Sequence, residues 1–269
     1  MKKILNILKP VTQVFIPNKT VSPMVKLIVA SVWILGFISY WSLGVSDLLP
    51  TPTEIWSSFK ELVVNEGLIG EMWTSMTLCF VAVIHTIIIS LIICYATVLP
   101  IFRPIGFVVS KFRFASIVGL SFLFTVIAGG NGYDLKVYLL TFGMTVFFVT
   151  QMMEVLNNIT TNELNHARTL GMNEWRVVGE VIILSKLDKV FDVIRSNFAI
   201  AWVMLTFVEG LSRADGGVGT LLLNQNKHLH LDAVFAIQFL ILFIGIGMDY
   251  MFGAFKRVAC PHAHLTLSK

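Results

Sequence analysis

The chain has 269 residues, of which 56% are hydrophobic and only 13% charged, and its mean hydropathy is +0.80. Soluble domains carry about 25% charged residues, so this composition excludes an ordinary soluble domain, a disordered chain and a disulfide-built secreted domain. The net charge of +4 is better explained by basic cytoplasmic loops of a membrane protein than by nucleic-acid binding.

The first 26 residues carry five lysines and three prolines ahead of the first apolar run. A basic start of this kind is also typical of a signal peptide, but no small-residue cleavage site follows the apolar run. The sequence therefore predicts a cytoplasmic arm over 1–26, a transmembrane domain over 27–257 and a cytoplasmic tail over 258–269.

Six apolar segments predict an all-α membrane protein with six transmembrane helices. The third and fifth segments are near the lower length limit for a span. A glycine-rich turn separates the third segment from the fourth. The six predicted spans are 27–44, 76–99, 114–130, 135–153, 196–212 and 232–254.

The distribution of basic residues predicts the orientation of these spans. With the N-terminus in the cytoplasm, 16 of the 20 Lys and Arg residues fall on one side, in the arm, the loops 100–113 and 154–195, and the tail. Only Lys60, Lys136, Arg213 and Lys227 fall on the other side. This bias follows the positive-inside rule and places both termini in the cytoplasm.

Two segments outside the spans are expected to be helical. Thr51 and Glu54 form a capping box around Pro52, and apolar residues then recur at helical spacing as far as Val63. This pattern predicts a short amphipathic helix that lies on the outer membrane surface or packs on the bundle.

The second segment is the loop 160–195, where Thr160 and Glu163 form another capping box. A helix should run to Leu170, Gly171 should adopt a positive φ, and Asn173 should cap a second helix. A cytoplasmic loop with this much structure is typical of a docking surface, although a simple connector is the plainer alternative.

The sequence contains no motif of a known catalytic or nucleotide-binding type, since the P-loop, HExxH and GxSxG patterns are all absent. We therefore expect no enzyme activity, cofactor or metal. Three ionisable residues fall within the spans, where a functional role is the default. For His85 a structural hydrogen bond is favoured over a place in a pathway, and for Asp249 snorkelling to the inner surface is favoured. Glu209 either pairs with Arg213 at i+4 or lies in a pathway.

The loop 160–195 resembles the cytoplasmic "EAA" loop of ABC importer permeases, most closely the nitrate/sulfonate/bicarbonate/taurine type. The resemblance extends over roughly 45–257 and includes the segment 49–54, Ser75, and the pairs Ala201-Trp202 and Val208-Glu209 with 217–219. The run that carries it is Asn165, His166, Ala167, Arg168, Thr169, Leu170 and Gly171.

The resemblance implies a type I importer permease in the cell inner membrane, working as a homodimer or heterodimer with a second permease chain. It implies that ABC ATPase subunits dock on 165–171, that an extracytoplasmic substrate-binding protein delivers a small solute, and that ATPase closure drives alternating access. We expect Trp202, Met204 and Glu209 to line the translocation path, and we expect membrane lipid but no nucleic acid as a partner.

Several residues differ from the family's pattern. Asn165 and His166 replace its leading Glu and Ala, Leu184 and Asp188 replace two prolines, Leu78 replaces an Arg, and 112–116 replaces a proline-rich stretch. These differences motivate the hypothesis of a specialised member that pairs with a more typical permease. They also leave open a permease-derived scaffold or sensor that docks partners without transporting, and an intramembrane enzyme that uses His85, Glu209 and Asp249.

Overall fold

The computed structural model describes residues 22–42, 49–213 and 215–261. Within these ranges the regular structure is entirely helical, which confirms the predicted all-α class. The chain divides into two compact units, residues 1–58 and 59–269, and each is described by itself. Most of the predicted arm and the last eight residues of the predicted tail lie outside the described residues.

The first unit contains helix α1 (Pro23–Ser42), which begins four residues before the predicted first span. Only Val25 is buried in this helix, and its sequence is apolar on all sides, as expected of a lipid-facing span. Helix α2 (Pro52–Asn65) begins at the predicted capping box, where the Thr51 amide donates to Glu54 Oε2 at 2.8 Å. The predicted amphipathic helix is therefore confirmed.

The second unit is a bundle organised around one long central helix, α6 (Gly132–Asn157), against which α3 (Leu68–Ala96) and α9 (Leu187–Leu211) pack. Cys94, Phe148, Met152 and Val193 are buried together where these three helices meet. The other described α-helices of this unit are α4 (Arg103–Lys111), α5 (Ile117–Ile127), α7 (Thr161–Thr169), α8 (Glu174–Val177), α10 (Val218–Lys227) and α11 (Leu231–Ala259).

The predicted third span, 114–130, is wrong as a single straight helix. Helix α5 has 11 residues, which at 1.5 Å per residue covers about half of a hydrocarbon core of about 30 Å. It qualifies as a span only together with Pro100–Phe114, and the two segments are bent by 114°. The break arises because Ala115 and Ser116 adopt extended backbone conformations. The segment is a broken span or a re-entrant loop.

Four described helices are long and apolar enough to cross a membrane, namely α1, α3, α6 and α11, and the bent pair makes a fifth. This number supports a multi-pass membrane protein. The predicted fifth span corresponds to α9, which has 25 residues but is not among these helices. Its sequence contains five charged residues, Asp188, Lys189, Asp192, Arg195 and Glu209.

Two charged residues in the first half of α9, Asp192 and Arg195, are paired with charged residues of α11. The Arg195 guanidinium donates to both carboxylate oxygens of Asp249, and Lys256 donates to Asp192. The sequence favoured snorkelling for Asp249, and the structure shows that its carboxylate is also paired with Arg195. An arginine 54 residues away along the chain neutralises it.

Contacts between helix ends agree with the predicted two-sided arrangement of loops. Thr97, just after α3, donates its hydroxyl to Met153 Sδ near the end of α6, at 3.4 Å. Arg103 and Arg168 line one cleft with these two residues, so the beginning of the loop 100–113 and the loop 154–195 share one end of the bundle. We call this end of the bundle the loop end, and we call the end that contains residues 216–219 the opposite end.

Candidate functional site

Residues 160–186, which we call the loop module, form a helix, a glycine turn and a second helical segment. The Thr160 hydroxyl accepts from the Glu163 amide at 3.3 Å, which caps α7. Gly171 has φ +78°, and the Met172 amide closes the turn by donating to the Ala167 carbonyl at 3.3 Å. The Asn173 side chain accepts from the Arg176 amide at 2.8 Å and caps α8. Both predicted caps and the predicted turn are confirmed.

The predicted second helix of this loop is regular for only one turn. After α8 the chain forms a π-helix over Val178–Ile183 and a 3-10 turn over Leu184–Lys186, and it then continues into α9. π-Helical turns are rare and concentrate at functional sites. The loop module is therefore joined to α9 by an irregular helical segment without an intervening loop.

Two ion pairs hold the loop module in its shape. Arg168 donates to both carboxylate oxygens of Glu174, at 2.8 and 3.0 Å, across the glycine turn. Lys186 donates to Glu163 Oε2 at 2.8 Å and connects the two ends of the module. The hydrogen bonds from Arg168 lower the pKa of Glu174, and the hydrogen bond from Lys186 lowers the pKa of Glu163.

The seven residues 165–171, predicted to contact an ATPase, lie on α7 and its turn. Six of them are exposed, and Ala167 is the buried exception. Leu170 is 64% exposed, and Trp175 on the neighbouring helix is 73% exposed. The loop module thus presents two large apolar side chains beside its glycine turn. A cleft of about 570 Å³ lies beneath the loop module, so the module is not closely packed against the bundle over its whole surface.

A buried polar cluster lies at the opposite end of the bundle. It consists of Glu71, Ser75, Lys136 and Glu209 with the backbone of 216–219, and we call it the Glu209 cluster. Ser75 Oγ donates to Glu209 Oε1 at 2.6 Å, and the Gly219 amide donates to Glu209 Oε2 at 2.7 Å. Lys136 donates to the Gly216 carbonyl at 2.7 Å, and the Gly217 amide donates to Glu71.

This cluster attaches the turn 216–219 to α3, α6 and α9. Ser75, Lys136 and Glu209 are each at most 1% exposed. The predicted pair between Glu209 and Arg213 is not formed: Glu209 is buried and accepts from α3 and the turn, whereas Arg213 is exposed. Glu209 therefore holds the turn 216–219 against α3 and α9.

The structure brings the three predicted path residues to three different places. Trp202 is 6% exposed and donates its indole N–H to the Ile241 carbonyl at 2.9 Å, so it packs between α9 and α11. Met204 lies against Gly143 of α6, where the absence of a side chain permits close approach. Glu209 belongs to the cluster just described. His85 bonds the Val81 carbonyl of its own helix at 2.7 Å, which agrees with the structural role favoured for it.

A groove that the sequence did not indicate lies at the break between α4 and α5. It has a volume of about 260 Å³, and we call it the Arg113 groove. The Arg113 guanidinium lies 4.9 Å from the centroid of the Phe114 ring. The sequence prediction placed Arg113 in the loop 100–113, one residue before the third span. The lining of the Arg113 groove includes Arg113, Ser116, Phe142, Val146, Phe147 and Phe207.

Within the described ranges, no three His, Cys, Asp or Glu residues are placed to hold a metal ion. No protein-family model matches the chain, and no curated protein matches it significantly. The loop module, the Glu209 cluster and the Arg113 groove are therefore the features of the molecule from which a function can be inferred.

Proposed function

We propose that this chain is the transmembrane permease subunit of an ATP-driven ABC importer for a small solute, such as an oxyanion or a sulfonate. ABC ATPases would dock on the loop module, a second permease chain would complete the membrane unit, and an extracytoplasmic protein would deliver the solute. The chain itself would carry out no chemical step. The cell inner membrane is the proposed location.

The geometry of the loop module carries this proposal. A helix of nine residues, a glycine turn fixed by an ion pair across it, and two exposed apolar side chains lie together at the basic end of the bundle. Leu170 and Trp175 are suited to a cleft in a partner protein, since apolar anchors surrounded by polar residues dominate binding energy at interfaces.

The connection from the loop module to α9 supports coupling to movement within the membrane domain. A force on α7 acts on α9 through the segment 178–186 and through the bond from Lys186 to Glu163. The cleft beneath the module leaves room for displacement. The module can therefore move with a docked partner and carry α9 with it.

Co-purification tests the proposal directly. We would tag the C-terminus, extract native membranes in mild detergent and identify the associated chains by mass spectrometry. We expect an ABC ATPase in near-stoichiometric amount, and its loss by at least tenfold on Leu170→Asp. Leu229→Asp is the matched control, because Leu229 is 77% exposed and its positive φ accommodates Asp. Absence of an ATPase, under conditions that keep a known ABC complex intact, would refute the proposal.

Uptake measurements separate the permease from the scaffold or sensor that the sequence left open. In proteoliposomes containing the co-purified proteins, a permease gives uptake that requires ATP. A scaffold gives ATPase association without uptake. A second permease chain in the purified complex would identify a heterodimer, and two copies of this chain alone would exclude that arrangement.

A further inference from the structure

We propose that the Arg113 groove is a binding site for a small organic anion that has an apolar part, and that this anion is the transported solute. The inference rests on the proposed function, because it assigns that function a substrate class and a site. The anionic group would bind the Arg113 guanidinium. The apolar part would lie against the phenylalanine side chains of the groove.

The position of the groove along the bundle supports this assignment. Its α6 lining, from Phe142 to Phe147, is the eleventh to the sixteenth residue of a 26-residue helix that is long and apolar enough to cross a membrane. The groove therefore lies near the middle of that helix. Breaks in membrane helices are tolerated where the irregular backbone lines a cavity, and they mark binding sites in transporters.

The charge of the groove selects an anion. Arg113 is exposed, and no carboxylate lies within 4 Å of its guanidinium in the described part of the chain. The sequence from 97 to 133 contains no Asp or Glu at all. An arginine at this depth is costly to desolvate and is functional by default, since it needs an anionic partner.

The walls of the groove select a ligand with an apolar part. Phe142 packs between the rings of Phe112 and Phe124, with centroid distances of 6.2 and 5.4 Å, and forms a fixed aromatic wall. Phe207 of α9 is 48% exposed and adds a second aromatic side chain to the lining. The groove's volume of about 260 Å³ is slightly below the range of about 300–1,000 Å³ that is typical of ligand pockets, so it suits only a small solute.

The same geometry connects the site with the proposed mechanism. The groove is lined by α5, α6 and α9, and Met204 of α9 contacts α6 at Gly143 on the groove's edge. A movement of α9 relative to α6 would therefore change the width of the groove. Since α9 continues from the loop module, movement of that module would open or close the site.

Thermal unfolding of the purified protein in detergent tests the binding site, with 1-butanesulfonate as the probe. Ligand that binds only the folded protein raises Tm, and we expect a rise of several degrees at saturation. Arg113→Gln should abolish the rise, and Arg113→Lys should retain part of it. Lys111→Gln is the matched control, because Lys111 is a neighbouring exposed cation that contacts Phe107 and does not line the groove.

Comparison with other ligands and with Arg113→Gln makes the outcome decisive. Butyltrimethylammonium should give no rise, and inorganic sulfate should give a smaller one because it has no apolar part. An equal rise for Arg113→Gln and the unsubstituted protein would overturn the proposal. So would a rise that depends on Arg113 with phosphatidylglycerol but not with butanesulfonate, because the site would then hold lipid.

Transport separates the failure of this inference from failure of the proposed function. If an ATPase co-purifies and sulfonate uptake is unaffected by Arg113→Gln, only the substrate site is wrong. If no ATPase co-purifies but butanesulfonate binds through Arg113, the site is right and the permease assignment is wrong.

Discussion

Ser75 makes two hydrogen bonds in the Glu209 cluster, so replacing it should destabilise the protein by an amount that can be estimated. Ser75 Oγ donates to Glu209 Oε1 at 2.6 Å and accepts from the Val218 amide at 2.8 Å, and Ser75 is 1% exposed. Ser75→Ala removes a hydrogen bond to a carboxylate and leaves a buried amide without a partner. Losses of these two kinds together cost about 2–4 kcal/mol.

Ser90 provides a matched control on the same helix. It is 0% exposed, and its hydroxyl has no partner within the described residues. Ser90→Ala therefore removes no hydrogen bond, and both substitutions bring the same gain in helix propensity. We expect Ser90→Ala to leave Tm unchanged or slightly raised. We expect Ser75→Ala to lower it by roughly 4–16 °C, on a scale of 2–4 °C per kcal/mol.

Two buried cysteines supply the assay. Cys79 is 1% exposed and Cys94 is 0% exposed, so a thiol-reactive fluorophore labels them only as the bundle unfolds. Cys260 is partly exposed and would be replaced by Ser in all variants. Equal Tm values for Ser75→Ala and Ser90→Ala would refute the hydrogen-bonded cluster. A double-mutant cycle with Glu209→Gln should give a coupling energy of about 1 kcal/mol or more if the two side chains bond.

Three further predictions concern the loop module and the pair between α9 and α11. Gly171→Ala should destabilise the loop module by about 1–2 kcal/mol, because Gly171 has a positive φ. Gly179→Ala should not destabilise it, because an added Cβ meets no atom there either and the φ of Gly179 is not positive. Limited proteolysis of the loop measures both effects. Arg195→Leu should lower Tm more than the double substitution with Asp249→Leu, since the single change leaves an unpaired carboxylate. The ion pair with Arg168 lowers the pKa of Glu174, so this pair stabilises the loop module fully above the ordinary glutamate pKa of about 4.3. The stabilisation is lost as the pH falls through the lowered pKa of Glu174. Pepsin cleavage of the loop should therefore rise over that pH range in the unsubstituted protein but not in Glu174→Gln.

Sequence patterns predicted the features that depend on neighbouring residues. The caps at Thr51, Thr160 and Asn173 and the turn at Gly171 each involve bonds over six residues or fewer, and all four are present. Four of the predicted spans correspond to helices that could cross a membrane. Apolar length and local turn chemistry were sufficient for these elements because neither depends on what packs against them.

The features that the sequence did not predict depend on residues far apart in the chain. Ser75 and Glu209 are 134 positions apart, and Arg195 and Asp249 are 54 apart. Arg213, one helical turn from Glu209, was the natural candidate for an ion pair because only local spacing could be considered. The break at Ala115 was missed for another reason: its extended backbone is specified by no glycine or proline at that point.

Helix α9 connects the three sites and limits how the chain can move. Arg195 ties the first half of α9 to α11 through Asp249, Phe207 near the end of α9 lines the Arg113 groove, and the Glu209 cluster holds its last turn. Displacement of the loop module must therefore either move α9 and α11 together or be absorbed in the irregular segment 178–186. Rigid ion pairs and a buried carboxylate resist bending within α9, whereas π and 3-10 turns have weaker hydrogen-bond geometry. Met204 of α9 contacts Gly143 of α6 closely, so joint movement of α9 and α11 would change the shape of the Arg113 groove at this contact.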